Sequence, residues 1–167
     1  MKQPARVGFS GRRIFGRAQD DQIHDPYETQ HKPHEPTVCD GCGAVFHRGR
    51  WQWAAAPEQA HHARCPACRR MDEALPAGIV TLHGRFARDR KQEIIGLARN
   101  EEEAETEEHP LNRIIAIIDS ADGIEISTTD IHLPRRLGAA LKRAYDGKLD
   151  IHFDEAGYFV RVQWRRD

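Results

Sequence analysis

Four cysteines, arranged as two Cys-x-x-Cys pairs, are the residues of this sequence with the clearest chemistry. Cys39 and Cys42 form the first pair, Cys65 and Cys68 form the second, and the chain contains no other cysteine. One zinc ion accepts four thiolates when each of two tight turns supplies two of them. The spacing therefore predicts one structural Zn²⁺ in a small zinc ribbon or knuckle. Because four thiolates close the coordination shell, we expect the ion to hold a fold and not to catalyse a reaction.

The residues around the cysteines agree with metal binding. Gly41 and Gly43 flank Cys42, so the backbone can turn sharply there and direct amide hydrogens at the sulfurs. Four thiolates around a dication leave about two negative charges. Arginines near the two pairs are expected to offset this charge: Arg48, Arg50, Arg64, Arg69 and Arg70.

Other uses of the cysteines compete with metal binding. A redox role needs a βαβ context and would leave the second pair unexplained. Disulfides are disfavoured because the first residues, MKQPARVGFSGRR, lack the apolar core of a secretion signal, and we expect a cytoplasmic protein. His47, His61 and His62 are close enough in sequence to replace one cysteine ligand, and that alternative stays open.

Residues 1–36 are predicted to be a basic, disordered arm. The segment has few apolar side chains and several glycines and prolines, so it cannot bury enough surface to order by itself. Within FSGRRIFGR, Arg12, Arg13 and Arg17 alternate with aromatic and aliphatic side chains. Arginine side chains bind RNA phosphates, and aromatic rings stack on bases. We therefore predict that the arm becomes ordered when it binds RNA.

Residues 37–75 are predicted to be the four-cysteine zinc ribbon, which contains one small hairpin. Alternation along the second strand of that hairpin places Trp51 and Trp53 on the same face. Two interpretations follow: the rings pack a small core, or they form a base-stacking platform framed by Arg48 and Arg50. In the second interpretation the two arginines neutralise phosphates.

Residues 76–110 are predicted to connect the ribbon to the last third of the chain. An apolar segment at 79–82 is a strand or an extended linker, and a helix is expected over 86–108. That helix ends in the run EEEAETEE before Pro110 stops it. We interpret the glutamates as a solvated face; the alternative is that they cover a basic surface until RNA displaces them.

Residues 111–167 are predicted to form a ββαββ unit. Apolar and polar side chains alternate in four segments around one amphipathic segment. The strands are expected at 114–118, 124–128, 149–153 and 158–164, and the helix at 131–146. One face of such a sheet is apolar and is covered by the helix. The expected fold class is therefore α+β: a small zinc ribbon or knuckle with four cysteine ligands, followed by a two-layer ββαββ domain, with a disordered basic N-terminal arm.

The order of these parts resembles the N-terminal region of the Nmd-three family, adaptors that bind the large ribosomal subunit and accompany its export. The match would run from Cys39 through DGIEI and LGAAL to YFVRV. The chain is also similar to uncharacterised bacterial proteins that carry the words DPY, EPTVC, GRWQW, CPAC and TTDIH. The family has more cysteine pairs and further domains, so its export role is not carried over. The resemblance implies a zinc-organised module that contacts ribosomal RNA or a ribosomal protein.

Composition and the lack of catalytic motifs exclude several classes of function. The mean hydropathy is -0.72 and 31% of the residues are charged, and no stretch approaches the roughly 20 apolar residues of a membrane span. No nucleophile with an evident base, phosphate loop or paired carboxylate site is recognisable. We therefore expect no enzyme, membrane partner or small-molecule substrate, and predict a zinc-binding protein that binds RNA or associates with the ribosome. The alternative is a zinc-stabilised module that docks a partner protein without nucleic acid.

Overall fold

The computed structural model describes Tyr27 and residues 32–167. This part of the chain forms two β-sheets and four α-helices. The strands are β1 (Thr37–Cys39), β2 (Val45–His47), β3 (Arg50–Gln52), β4 (His61–Ala63), β5 (Gly78–His83), β6 (Ile114–Ser120), β7 (Gly123–Thr128), β8 (Lys148–Phe153) and β9 (Val160–Arg165). The helices are α1 (Pro66–Glu73), α2 (Arg85–Asp89), α3 (Lys91–Glu108) and α4 (His132–Tyr145). Within the described residues, no helix is both long and apolar enough to cross a membrane.

The α+β class predicted from the sequence is confirmed by these elements. Most of the predicted basic arm, including Arg12, Arg13 and Arg17, lies outside the described residues. The ribbon, the apolar segment predicted at 79–82 and all four strands of the last third are present. The helix predicted over 86–108 is divided at Arg90 into α2 and α3, although the Arg90 amide still donates to the Phe86 carbonyl at 2.9 Å.

The first sheet brings the two cysteine pairs together. Its strand order is β3-β2-β1-β4, and β1 and β4 are parallel, with Cys39 opposite Ala63. Cys39 ends β1, and Cys65 comes two residues after the end of β4. The parallel pairing therefore sets the two Cys-x-x-Cys turns side by side. Neither β1 nor β4 is predicted from the sequence, because strands of three residues carry too little alternation to be recognised.

The second sheet has five strands, which corrects the predicted four-stranded ββαββ unit. Its order is β6-β7-β5-β9-β8, so β5 lies in the centre, antiparallel to β7 and parallel to β9. The segment predicted as a connection over 76–110 thus supplies the central strand. Local alternation identifies β5 as a strand but carries no information on its neighbours, because pairing between distant segments is decided by tertiary packing.

Helix α4 covers the apolar face of the five-stranded sheet. Val80, Ile126 and Val162 occupy one row across β5, β7 and β9, and all three are fully buried. The helix packs closely on this face: a Cβ added at Gly138 would lie 2.9 Å from both Leu149 Cδ1 and Val162 Cγ1. The main core lies between α4 and this face of the sheet. Leu133, Leu137 and Leu141 of α4 contribute to it.

The acidic end of α3 has two different sides. The Glu102 carboxylate accepts the Ile114 amide hydrogen at 2.7 Å, and Glu105 accepts hydrogen bonds from Asn112 at 2.9 Å and Arg136 at 2.7 Å. These glutamates lock α3 onto α4 and the start of β6. Glu103 and Glu107 on the other side are exposed, and so is Glu108 at the last position of α3. The interpretation of the whole run as a solvated face is therefore incomplete, because helical periodicity divides it.

Candidate metal centre

The four cysteines meet at one point, as the sequence spacing predicts. Each offers one Sγ atom, and the four atoms all lie within 4.8 Å of one another. No disulfide joins them, and the Cys42 and Cys65 sulfurs are 3.8 Å apart. Four sulfurs bound tetrahedrally at about 2.3 Å from one ion would be separated by about 3.8 Å. The cluster thus has the ligands and the size of a site for a single metal ion.

Two tight turns hold these sulfurs. In the first, the Cys39 amide donates to the Ala44 carbonyl at 2.8 Å, and the Gly43 amide donates to the Cys39 carbonyl at 2.9 Å. Gly43 has a φ of 78°, in the left-handed region where glycine is favoured. At Gly41, an added Cβ would lie 2.7 Å from Cys68 Sγ. This close approach explains why a glycine stands next to the metal ligands.

The second turn is the beginning of α1. Cys65 is the N-cap residue, and its sulfur accepts the Cys68 amide hydrogen at 3.4 Å, while Pro66 occupies the first helical turn. Proline is tolerated there because the first amides of a helix have no intrahelical acceptor. Helix α1 starts inside the second cysteine pair and includes Cys68. Helix α1 therefore fixes both of its ligands on one rigid element.

Backbone amides and burial set the ionisation of the thiols. Burial acts to raise the pKa of Cys39, but amide donors that include Cys65 at 3.2 Å and Gly41 at 3.3 Å outweigh it and lower this pKa to about 6. Burial raises the pKa of Cys65 and also that of Cys42. Of these three thiols, Cys39 therefore ionises most readily, and a bound cation would stabilise the thiolate forms of Cys42 and Cys65.

Arg113 is the functional residue that sequence reasoning missed. It precedes β6, and its guanidinium donates to Cys68 Sγ at 3.2 Å and to Cys65 Sγ at 3.5 Å. Burial acts to lower the Arg113 pKa, but the hydrogen bond to Cys68 and the charge of the sulfurs raise it. Its backbone is fixed by Thr129, whose hydroxyl accepts the Arg113 amide hydrogen at 2.9 Å. The main counter-charge of the cluster thus comes from the second sheet.

The arginines that were expected to offset the cluster have other contacts. Arg64 forms an ion pair with Asp72 that raises its pKa, and it also lies close enough to the sulfurs of Cys68 and Cys39 for their charge to raise this pKa further, as expected. Arg69 donates to the Tyr27 carbonyl at 2.9 Å, and Arg70 donates to the Leu75 carbonyl at 3.1 Å. None of these hydrogen bonds reaches a sulfur. Arg113 lies far away in sequence, and no local signal distinguishes it from other arginines. Proximity in sequence therefore identifies Arg64 but not Arg113, the arginine that donates hydrogen bonds to the sulfurs.

The histidines considered as alternative ligands also have other neighbours. His62 Nδ1 lies 3.0 Å from an Asp40 carboxylate oxygen, His47 Nδ1 lies 3.8 Å from the Glu35 carboxylate, and the His61 ring packs on another histidine ring at 5.1 Å. Among the described residues, the group able to hold a metal contains the four cysteines and no histidine. The geometry favours an all-thiolate site.

The two tryptophans of the ribbon have different environments. Trp51 is half-buried, packs against the cysteine cluster and meets the Phe46 ring edge-on at 5.5 Å. Trp53 remains 44% exposed, and its indole N–H donates to the Thr106 carbonyl of α3 at 2.7 Å. The core interpretation thus describes Trp51, whereas Trp53 lies on the seam between the ribbon and α3. The two rings thus differ in exposure, and a role of either in base stacking stays a prediction.

The hairpin between β2 and β3 presents two arginines at its tip. The Glu35 carboxylate accepts the amide hydrogens of Arg48 at 2.9 Å and Gly49 at 2.8 Å, and these bonds lower the Glu35 pKa. Arg48 and Arg50 are exposed, and within the described residues neither guanidinium has a carboxylate within 4.0 Å. The tip therefore has a fixed backbone and two cations that form no ion pair with this part of the chain.

Comparison with known proteins gives no family for this chain. No protein-family model matches it, and no curated protein matches it. The resemblance to the Nmd-three family therefore stays a prediction. The function has to be inferred from the cysteine cluster and the surfaces around it.

Proposed function

We propose that this chain is a non-enzymatic protein that holds one structural Zn²⁺ through Cys39, Cys42, Cys65 and Cys68 and binds RNA or associates with the ribosome. The four sulfur ligands support zinc, since thiolates select zinc or iron among common metals. The distances between the sulfurs also fit tetrahedral coordination of one ion. The bound ion would supply the positive charge that stabilises the four cysteines as thiolates. The closed shell leaves no position for a substrate, which supports a structural role.

The hairpin tip carries the RNA proposal. Many cations of the described chain already have a carboxylate partner, as Arg90 has Glu93 and Arg136 has Glu101. Arg48 and Arg50 do not, so both guanidiniums can meet phosphate oxygens without first breaking an ion pair. Because Glu35 fixes the backbone of the turn, little order has to be gained on binding. The predicted arm would add Arg12, Arg13 and Arg17 to this surface.

The test compares two pairs of arginines in the full-length, metal-loaded chain. Fluorescence anisotropy with a labelled single-stranded RNA of mixed sequence is followed over a series of salt concentrations. Arg48→Gln/Arg50→Gln should weaken binding and reduce the salt slope by about 1.4, at roughly 0.7 per lost phosphate contact. Arg85→Gln/Arg88→Gln is the matched control, because both of its arginines are exposed on α2. An equal loss in both variants would leave the hairpin without a special role.

Two direct measurements accompany this comparison. Metal analysis of protein purified without added zinc should give one zinc per chain, and iron in its place would overturn the zinc assignment. Co-sedimentation with ribosomes should be lost as salt rises, since phosphate-driven binding releases counterions. If the protein binds neither RNA nor ribosomes at low salt, the RNA and ribosome proposal is wrong.

A second candidate function is a zinc-stabilised module that docks a partner protein without nucleic acid. It is favoured by Trp53, which stays exposed next to the carboxylates Glu103 and Glu107 of α3. Carboxylates repel phosphates, so this part of the surface suits a protein better than RNA. Association that persists at high salt and does not depend on Arg48 or Arg50 would favour this candidate.

A further inference from the structure

A cavity of about 510 Å³ lies between the ribbon and α3. One stripe of α3 forms much of its lining, because positions three and four residues apart share a helix face. We call this cavity the Trp53 groove. Its lining residues are Trp53, Arg99, Glu102, Glu103, Thr106, Glu107 and Arg113. The groove is separate from the metal-binding interior of the cysteine cluster, although Arg113 contacts both.

The Trp53 ring is held in place and is still accessible. Its indole N–H is already bonded to the Thr106 carbonyl at 2.7 Å, so its hydrogen-bonding capacity is satisfied. The side chain nevertheless remains 44% exposed in the cavity lining. The exposed part is therefore aromatic surface, whose face is electron-rich and attracts cations.

The charges around the ring are negative in balance. Arg99 is paired with Glu102 at 2.8 Å, and Arg113 is bonded to the cysteine sulfurs, so both arginines of the lining are already compensated. Glu103 and Glu107 are exposed, and in the described part of the chain neither has an ion-pair partner. Two carboxylates therefore face the groove without a counter-charge from these residues.

The position of these carboxylates on the helix is unfavourable for the isolated protein. Glu103 and Glu107 are four residues apart, where like charges on a helix repel each other. They also lie near the C-terminal end of α3, where the helix dipole is negative, and the last turn contains no basic residue. A cation in the groove would relieve both effects.

We propose that the Trp53 groove binds a lysine or arginine side chain of a basic polypeptide segment. The cation would stack on the indole face and donate charge-assisted hydrogen bonds to Glu103 and Glu107. The same carboxylates would repel the phosphates of an RNA backbone. We therefore do not assign base stacking to Trp53. This site goes beyond the proposed function, because it uses neither the hairpin arginines nor nucleic acid.

The experiment follows the indole signal of Trp53 by NMR in the full-length, zinc-loaded chain. The signal is assigned with Trp53→Phe, and the protein is titrated with a blocked peptide of alternating lysine and glycine. A peptide with glutamate in place of lysine is the matched probe. We expect a saturable shift with the lysine peptide and no shift with the glutamate peptide. A response to neither peptide would overturn the proposal.

Variants assign the shift to the groove. Glu103→Gln/Glu107→Gln should weaken binding of the lysine peptide about threefold or more, as expected for two lost exposed ion pairs. Glu108→Gln removes an exposed charge at the end of the same helix, outside the groove lining, and should bind nearly as the unsubstituted chain does. Trp53→Leu should weaken binding about two- to fivefold through the lost cation–π contact. Because the glutamates are exposed, their variant keeps the test valid even if Trp53→Leu disturbs the ribbon.

Two results would overturn the inference. The first is binding of the lysine peptide to Glu103→Gln/Glu107→Gln with unchanged affinity, which would place the peptide elsewhere on the chain. The second is a shift of the Trp53 signal with oligouridylate that the lysine peptide does not produce, which would make the groove an RNA site. The RNA proposal at Arg48 and Arg50 does not depend on either outcome.

Discussion

Arg113 shows how one side chain joins the metal centre to the rest of the molecule. Its guanidinium reaches two of the four sulfurs, and Leu111 packs against the same cysteine cluster. Four thiolates on a dication carry about two negative charges, and partly buried charge of this kind needs nearby compensation. Arg113 therefore positions and stabilises the ligands without binding the metal itself.

Replacing Arg113 is expected to weaken metal binding. Arg113→Gln should reduce zinc affinity about 10- to 100-fold, the range typical of lost outer hydrogen bonds at metal sites. Arg113→Lys keeps the charge but loses the planar fork, so its loss should be smaller. Competition with a chromophoric zinc chelator measures the affinity. Arg88→Gln, which removes an exposed arginine of α2, is the control. A larger loss in the control than in Arg113→Gln would contradict the role of Arg113.

Helix α3 carries two kinds of glutamate: some form contacts within the fold, and others have no ion-pair partner among the described residues. On one side, Glu101, Glu102 and Glu105 bond to α4 or β6, and on the other Glu103 and Glu107 line the Trp53 groove. Arg136 forms ion pairs with two of these glutamates, which joins α4 to α3. The alternative that the acidic run covers a basic surface until RNA displaces it stays a prediction. The helical period thus divides the acidic run into glutamates that contact α4 or β6 and glutamates that line the Trp53 groove.

Glu105 is expected to make stability depend on pH. Burial acts to raise its pKa, but hydrogen bonds from Asn112 and Arg136 outweigh this and lower it. A carboxyl whose pKa is lowered on folding stabilises the protein above its unfolded pKa, about 4.3, and this stabilisation is lost as the pH falls through the folded value. Glu105→Gln should therefore cost about 1 kcal/mol at pH 7.

Urea unfolding of the two proteins from pH 7 downwards tests this expectation. The difference between the unsubstituted chain and Glu105→Gln should shrink below about pH 4.3. Acid also releases metal from thiolates, so both proteins are compared at each pH under the same conditions. Glu108→Gln, exposed and near the end of the same helix, should show little difference at any pH. A constant difference across the range would show that the Glu105 charge is not responsible.

The two sheets of the molecule depend on contacts between distant segments. Strand β5 precedes α2 and α3 in the chain, yet it lies between β7 and β9. Without it, these two strands would have no neighbour on their inner edges, and the core residues Val80 and Leu82 would be missing. We therefore expect that the last third of the chain does not form its sheet alone, and that the unit begins before the boundary predicted at residue 111.

Two fragments test this domain organisation. Residues 76–167 contain all five strands and should give a dispersed NMR spectrum and cooperative unfolding. Residues 111–167 lack β5 and should be unfolded, because the open edges of β7 and β9 and the gap in the core remove too much buried apolar surface. A dispersed spectrum from residues 111–167 would restore the autonomous ββαββ unit.

The sequence alone determined the metal ligands and most of the local structure. Cysteine spacing predicted the four-sulfur cluster, and alternation of apolar side chains located the strands of the second sheet, because ligand type and side-chain period are local properties. The tertiary structure decided that β5 is central, that β1 and β4 are parallel, that Arg113 reaches the sulfurs, and that Trp53 lies beside unpaired carboxylates. These features depend on which distant surfaces are buried together, and a local pattern does not specify the partner.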